Sequence, residues 1–417
     1  MLADDRRLGE LGALLLDAGM SVTDVRASME SVSGAALGEH PLEFAALPDM
    51  VIVSDRDSGA ATVVRSHGGA LTFQQAAQAN QLVRRATTTP VARGELLDRI
   101  DDIRRSQSPP TTWNWALGSA LIAGGLALTF RSPWWSILAA IVIGAVVGLV
   151  ASMLRGENAV AVAPFVAAFL STVSIGVTAS VLGLGPVPLF AVCAPIAILV
   201  PGVVITNALL ELTATDIVTG ASRLVYGLMM LGFMYAGIVA GAAATGLHID
   251  QGSATLIGEI ATVTGGSGWH ALPGLPLTWI GVALLSIGIG LAFGSGMRLT
   301  AFSVVMMSAT YSLLIAVTPL VGNVVATGIT AAALLVIARI LERFTDVPTA
   351  VSYQPAWLLL IPGTVGLAAL ASLNTASAQS ICATFVSLCL GTKAGALIAD
   401  LLTPQRHHRN HAREEKP

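Results

Sequence analysis

The hydrophobic pattern divides the chain into a mixed first part and a longer apolar part. In residues 1–110, apolar and polar positions alternate in short amphipathic stretches. From residue 111 onward the apolar runs are long and nearly continuous, and several reach the ~20 residues that span the hydrocarbon core of a bilayer. This pattern predicts a small polar domain followed by a membrane region.

The polar part predicts a small α+β domain. Gly19 follows the first helix as a C-terminal glycine, and Ser21-Val-Thr-Asp24 resembles a capping box at the start of the second. Two β-branched runs flank a turn at Asp57-Ser-Gly59, so they predict a hairpin. The periodicity predicts helices over 7–18, 22–32, 72–86 and 92–105, and strands over 50–53 and 61–64.

Ten apolar segments in the remainder predict ten transmembrane helices. Lys and Arg outside them gather on one side of the membrane if the N-terminal domain is cytosolic, since only Arg131 falls in an outer connection. The outer connection 246–274 contains neither Lys nor Arg. We therefore expect a multi-pass protein of the cytoplasmic (cell) membrane with both termini cytosolic. The predicted spans are 112–130, 134–154, 158–182, 187–208, 218–245, 275–294, 298–318, 321–342, 348–371 and 377–402.

These segments also define the expected domains. The fold class is membrane all-α, with about ten transmembrane helices in two inverted five-helix repeats, preceded by the small α+β domain. The expected units are a cytosolic N-terminal domain (1–110), a first membrane repeat (111–245), an extracytoplasmic loop (246–274), a second membrane repeat (275–403) and a basic cytosolic tail (404–417).

Composition narrows the functional classes. The chain is 54% apolar and only 11% charged, with a mean hydropathy of +0.75, whereas soluble proteins carry about 25% charged residues. A net charge of −3 argues against a nucleic-acid-binding protein. The three cysteines lie in apolar runs, which excludes a disulfide framework. The sequence has no recognisable metal-ligand cluster, cofactor motif or catalytic triad, so no metal, cofactor or enzymatic activity is predicted.

An internal repeat relates the two halves of the membrane region. A Leu-Val-Pro-Gly run ends at Gly202, and a Leu-Ile-Pro-Gly run ends at Gly363, 161 residues later. Similar Asn-Ala-Val-Ala and Asn-Val-Val-Ala runs begin at Asn158 and Asn323, 165 residues apart. A five-span repeat has an odd count, so the second copy must be inverted in the membrane. Inverted repeats are typical of secondary transporters, whose substrates bind where paired helices break. The Pro-Gly pairs are the predicted breaks, and a plain proline kink is the alternative.

Polar and ionisable groups near the breaks are the candidate binding residues, because such groups are costly inside a membrane. Asp216 and Arg223 lie two turns apart on one helical face and could meet the two charges of an amino acid. The alternative is an interfacial pair that sets helix depth, and the two asparagines of the repeat could instead bridge helices. The candidate substrate-binding residues are Pro201, Gly202, Thr206, Asn207, Asp216, Arg223, Asn158, Asn323, Pro362, Gly363 and Lys393.

Two carboxylates are candidates for coupling export to protons. Asp216 is the first, because it lies beside the first break, and Asp400 near the inner end of the tenth segment is the second. A carboxylate at the edge of a membrane cavity can exchange a proton when its surroundings change. We expect Arg223 to pair with Asp216, so that a substrate would compete for the arginine.

One stretch of the chain resembles the threonine/serine exporter family. The residues that carry the resemblance are Ala194-Pro-Ile-Ala-Ile-Leu-Val-Pro-Gly-Val-Val-Ile-Thr-Asn207, Glu211, Asp216, Gly220 and Arg223. The Ala-Gly-Met-Ser run after Asp17 and the Pro-Gly segment at 354–363 are also similar to the family, so the resemblance covers most of residues 8–402. Thr215 replaces the family's usual glycine. The resemblance implies proton-driven export of threonine and serine, and some two-chain relatives are associated with dicarboxylate export.

The leading interpretation is therefore a secondary active transporter that exports threonine and serine, with protons and the lipid bilayer as its other partners. The alternatives are a succinate-like dicarboxylate exporter and a channel or membrane sensor. A membrane-embedded enzyme is disfavoured, because the predicted spans contain no histidine and no pair of aspartates suited to sharing a proton. A homo-oligomer is compatible with the sequence, and a nucleic-acid partner is not expected.

Overall fold

The computed structural model is mostly helical, and its buried apolar residues form two separate hydrophobic cores. One core lies within residues 8–103, and the other extends from Ile122 to Leu388. The structure describes residues 2–37, 42–68, 71–88, 95–107, 110–153, 157–250, 260, 267–345, 356, 359–360 and 375–402.

The N-terminal domain places its first two helices against a three-stranded antiparallel sheet, and its third and fourth helices pack on those two helices. The predicted hairpin is confirmed as β2 (Met50–Asp55) and β3 (Ala61–Arg65), while β1 (Leu42–Leu47) was not predicted. The run Leu-Glu-Phe-Ala-Ala-Leu of β1 contains Glu and two Ala residues, which are depleted in strands, so its pattern gives little signal. The elements are α1 (Leu2–Asp17), α2 (Val22–Leu37), β1 (Leu42–Leu47), β2 (Met50–Asp55), β3 (Ala61–Arg65), α3 (Phe73–Thr88) and α4 (Glu95–Arg105).

A tight connection, the α1–α2 turn (residues 18–21), joins the first two helices. Gly19 has a φ of 78°, a left-handed conformation that glycine adopts without steric cost. Its N–H donates to the carbonyl of Leu16, and the N–H of Met20 donates to that of Leu15, which closes the end of α1. The Ser21 hydroxyl then accepts the N–H of Asp24 at 3.1 Å and caps α2, as predicted.

A buried ion pair fixes the end of α1 within the domain. The side chain of Asp17 is 1% exposed, and its Oδ2 lies 2.7 Å from Nη1 of Arg104 in α4. Asp17 also accepts hydrogen bonds from the Ser66 hydroxyl and the His67 backbone N–H. A buried charge persists only where such partners compensate its lost hydration, so these contacts hold the α1–α2 turn in a defined place.

The second part of the chain consists of long apolar helices. Among the described residues, five helices are long and apolar enough to cross a membrane, or six if the bent pair around Pro201 counts as one span. The count of ten spans and the inverted repeat therefore remain predictions, and most of the ninth predicted span lies outside the described residues. The helices are α5 (Thr112–Thr129), α6 (Trp134–Met153), α7 (Glu157–Val181), α8 (Leu189–Cys193), α9 (Gly202–Thr213), α10 (Ile217–Thr245), α11 (Leu277–Ala292), α12 (Met297–Val321), α13 (Asn323–Thr345) and α14 (Thr375–Leu402).

Glycines allow several of these helices to pack with their backbones in close contact. A Cβ on Gly125 of α5 would lie 2.6 Å from the carbonyl oxygen of Gly281, and one on Gly288 would lie 2.7 Å from that of Gly118. Because Gly118, the earlier residue in α5, meets Gly288, the later residue in α11, the two helices run antiparallel. Small residues at such positions are the usual means of close helix packing in membranes.

Candidate substrate site

The predicted helix break at Pro201 is present. The chain from Leu189 to Leu199, which ends in the 3-10 helix Ala194–Leu199, makes an angle of 76° with α9. Val200 is extended, and Pro201 precedes the first residue of α9, so the proline lies between two helices rather than inside one. Since proline has no N–H to continue a helical ladder, the sequence favours an interruption at this position.

After the break, α9 and α10 form a helical hairpin. Thr215 lies in the sharp connection with a φ of 68°, and Asp216 is the residue that precedes α10. The two helices pack closely at Gly220, where an added Cβ would lie 2.8 Å from the backbone nitrogen of Leu212. The hairpin therefore brings the end of α9 next to the first two turns of α10.

A buried ion pair joins the two helices of this hairpin. Nη1 of Arg223 lies 2.5 Å from Oε1 of Glu211 in the last turn of α9. The Glu211 side chain is 0% exposed, and that of Arg223 is 15% exposed. The same Glu211 oxygen accepts the backbone N–H of Val22 at 3.0 Å, so the N-terminal domain also contributes to this pair.

Asp216 is bound by the N-terminal domain. Nη2 of Arg26 lies 2.6 and 2.7 Å from its two carboxylate oxygens, and the Thr23 hydroxyl donates to it at 2.6 Å. The expected pairing of Asp216 with Arg223 is therefore wrong for this conformation, because Arg223 binds Glu211 instead. The reason is that α2 lies against the connection before α10 and supplies Asp216 with its own cation.

The α1–α2 turn and the start of α2 cover the hairpin. The Asn207 amide donates to the carbonyl oxygen of Gly19 at 2.8 Å, close to the contact between Val22 and Glu211. The N-terminal domain makes a second contact with the membrane helices, where the N–H of Phe73 donates to the carbonyl of Phe293 after α11. It thus binds two different connections of the membrane region at once.

The structure gathers six of the predicted site residues in one region. Pro201 and Gly202 are buried at the break, the buried Thr206 hydroxyl donates to the carbonyl of Gly202, and Asn207, Asp216 and Arg223 follow. The other described candidates lie elsewhere: Asn323 begins α13, and Lys393 is exposed on α14. Pro362, Gly363 and the side chains of Asn158 and Asp400 lie outside the described residues.

Sequence reasoning missed the central role of Glu211 in this arrangement. Glu211 was noted only within the family resemblance, although it interrupts the apolar run Ala-Leu-Leu-Glu-Leu. An acidic residue in such a run is by default a functional hypothesis, and this signal would have identified it. The contributions of Thr23 and Arg26 carry no such signal, because they depend on how the two parts of the chain dock. Within the described residues, no group of three or more His, Cys, Asp or Glu side chains could hold a metal ion.

Long apolar helices packed through glycines, with a broken segment and a buried ion pair beside it, define a multi-pass helical membrane protein. Residues 6–245, more than half of the chain, match the ThrE family, described as putative threonine/serine exporter. The chain belongs to this family. No curated protein and no solved structure matches it.

Proposed function

We propose that the protein is a secondary active transporter that exports threonine and serine across the cytoplasmic membrane, driven by the proton motive force. The observation that carries this proposal is the buried pair of Glu211 and Arg223 at the end of a broken apolar segment. Transporters bind charged substrates where helices break near the membrane interior. Membership of the exporter family supports the same function.

The site lies beneath the N-terminal domain, so export requires a movement at this contact. The α1–α2 turn and the start of α2 bind Asn207, Glu211 and Asp216, so a substrate that binds these groups has to replace these contacts. Domain and loop closure over a bound substrate is common in transport and catalysis. We infer that the N-terminal domain opens and closes the cytosolic entrance of the pathway.

Asp216 is the first candidate for proton coupling in this proposal, and Asp400 is the second. The side chain of Asp216 is 19% exposed, and its carboxylate is bound by Arg26 and Thr23, which belong to the other domain. Protonation would remove the charge that Arg26 binds and would weaken the contact between the two domains. Proton binding could thereby favour one of the two access states.

In the proposed orientation of the protein in the membrane, the N-terminal domain lies in the cytosol. This domain contacts the connection between α9 and α10 and the connection between α11 and α12, so both lie on its side of the membrane. Arg223 and Arg298 are near these same connections, and positive residues favour the cytosolic side.

Flux measurements with the full chain in proteoliposomes test the function. With a pH gradient, vesicles should concentrate threonine and serine, and succinate should neither be concentrated nor compete. The Asp216→Asn variant keeps the side-chain volume but cannot ionise, so it should exchange threonine without concentrating it. Concentration of succinate alone would support the dicarboxylate alternative. Flux only down the threonine gradient would indicate a channel, and no flux of either compound would favour a sensor.

A further inference from the structure

The buried carboxylate of Glu211 has hydrogen-bond donors for only one of its two oxygens among the described residues. Its Oε1 accepts hydrogen bonds from Arg223 and from the Val22 N–H, as described above. Its Oε2 is also buried, and in the described part of the chain no group donates a hydrogen bond to it. Buried polar atoms nearly always have a partner, so this oxygen marks a place for a donor that the protein does not supply.

The neighbouring acidic and basic groups leave the pair of Glu211 and Arg223 available to a ligand. Asp216 is neutralised by Arg26, and Asp24 makes its hydrogen bonds with Ser21 at the start of α2. Neither acid therefore competes for Arg223, which is bound only to Glu211 among the contacts of the described residues. The two charges of this pair are adjacent, opposite and largely removed from water.

An amino acid matches this arrangement better than a dicarboxylate does. A guanidinium binds a carboxylate through two parallel hydrogen bonds, and a carboxylate accepts the hydrogens of an ammonium group. If the zwitterion inserts between the two side chains, each buried charge exchanges one partner for another of the same sign and none is left unpaired. A dicarboxylate would satisfy Arg223 but would bring a second negative charge towards Glu211.

We propose that Glu211 determines the specificity of the site: it binds the α-ammonium group of the exported amino acid and repels dicarboxylates, while Arg223 binds the α-carboxylate. This inference rests on the proposed transport function. It assigns to Glu211 and Arg223 the recognition of both substrate charges, which the sequence suggested for Asp216 and Arg223, and it leaves Asp216 to the contact between the domains.

The test compares Glu211→Gln with the wild-type chain in proteoliposomes. Glutamine keeps the shape of the side chain but removes its charge, so threonine flux should fall about tenfold or more, because charge-assisted hydrogen bonds are roughly twice as strong as neutral ones. Succinate, and the hydroxy acid that lacks the amino group of threonine, should become effective competitors. Glu30→Gln is the matched control, since it removes the same charge from the exposed surface of α2 and should retain wild-type flux and selectivity.

A second variant keeps the proposal testable if Glu211→Gln does not fold, as judged by its thermal unfolding in detergent. Arg223→Lys retains the positive charge but loses the two parallel hydrogen bonds, so it should weaken threonine binding while succinate remains excluded. Wild-type selectivity in a folded Glu211→Gln variant would overturn the inference. So would strong succinate competition in Arg223→Lys. If the wild-type chain itself carries no threonine, the proposed function has failed, and the two failures are thereby distinguished.

Discussion

The backbone N–H of Val22 donates one of the hydrogen bonds that join the N-terminal domain to the candidate site. It is the first residue of α2, where proline is tolerated because the N–H has no partner within the helix. Val22→Pro should therefore remove the donor to Glu211 without disrupting α2. A hydrogen bond to a charged group contributes about 1.5–3 kcal/mol, so local opening of this contact should increase roughly tenfold or more.

Hydrogen–deuterium exchange of peptides from 205–220 measures this change. Val22→Ala is the control, because it shortens the same buried side chain but keeps the N–H. Faster exchange is expected in Val22→Pro only. Equal exchange in both variants would show that side-chain packing, rather than this hydrogen bond, holds the turn on the hairpin.

The sequence suggested candidate residues for the site but did not indicate their partners. Asp216, Arg223 and Asn207 were proposed because polar groups are conspicuous in apolar surroundings. Their partners were not, since Arg26 lies 190 residues from Asp216 and Gly19 lies 188 residues from Asn207. No local pattern encodes contacts over such separations, and they arise only when the two parts of the chain dock.

Among the elements, the long apolar helices were the most predictable. The bounds of α5, α6 and α10 lie within one residue of the predicted spans, because the apolar runs are continuous and end at glycine, proline or charged residues. The fourth predicted span was placed as one segment, whereas the structure divides it into α8, a 3-10 helix and α9. Hydrophobicity alone does not indicate this division, whereas the Pro-Gly pair predicts it.

Substitution of Pro201 tests whether the helix break contributes to transport. Pro201 lies before α9 and not within it, so Pro201→Ala does not remove the interior-helix penalty of proline. We expect the free energy of unfolding to fall slightly, by about 0.4–1 kcal/mol, because alanine increases the freedom of the unfolded chain. Transport should fall much more, since the bend that positions α9 becomes less defined.

Pro164→Ala is the comparison, because Pro164 lies inside α7, a helix that continues through it. Its removal should stabilise the protein, as an interior proline costs a helix about 3 kcal/mol. Thermal unfolding in detergent and threonine flux separate the two variants. Wild-type flux in Pro201→Ala would reduce the break to an ordinary kink without a role in transport.

The glycine contacts between α5 and α11 support the proposed inverted repeat. Gly118 and Gly125 of α5 lie 163 positions before Gly281 and Gly288 of α11. If the two repeats are exchanged, the contact of Gly118 with Gly288 becomes the contact of Gly281 with Gly125, and both contacts are present. A two-fold axis between antiparallel equivalent helices produces this reciprocity.

In two five-helix repeats, a contact between the third and fifth spans should recur between the eighth and tenth spans. In α7 and α10, the third and fifth predicted spans, Gly237 packs on Phe165 and Gly241 on Thr172, so these helices run parallel. In α13 and α14, the eighth and tenth, Gly395 packs on Ala332. Glycines of both helices lie at the contact in each pair, which we expect of two copies of one five-helix unit.

Labelling of single cysteines tests the topology that the inverted repeat requires. Ser106 precedes α5 and Ser267 precedes α11, and both side chains are exposed. If five spans separate them, the two positions lie on opposite sides of the membrane. In a chain without Cys193, Cys382 and Cys389, a membrane-impermeant maleimide should modify Ser267→Cys in intact cells. Ser106→Cys should react only after the membrane is opened.

The other outcomes of this labelling have definite meanings. Modification of Ser106→Cys alone in intact cells would place the N-terminal domain outside and would contradict a cytosolic entrance beneath it. Modification of both positions would imply an even number of crossings between residues 106 and 267. The second half of the membrane region would then enter the membrane from the same side as the first. Equivalent helices of two repeats that enter from the same side run parallel, so the reciprocal glycine contacts of α5 and α11 could not arise from an inverted repeat.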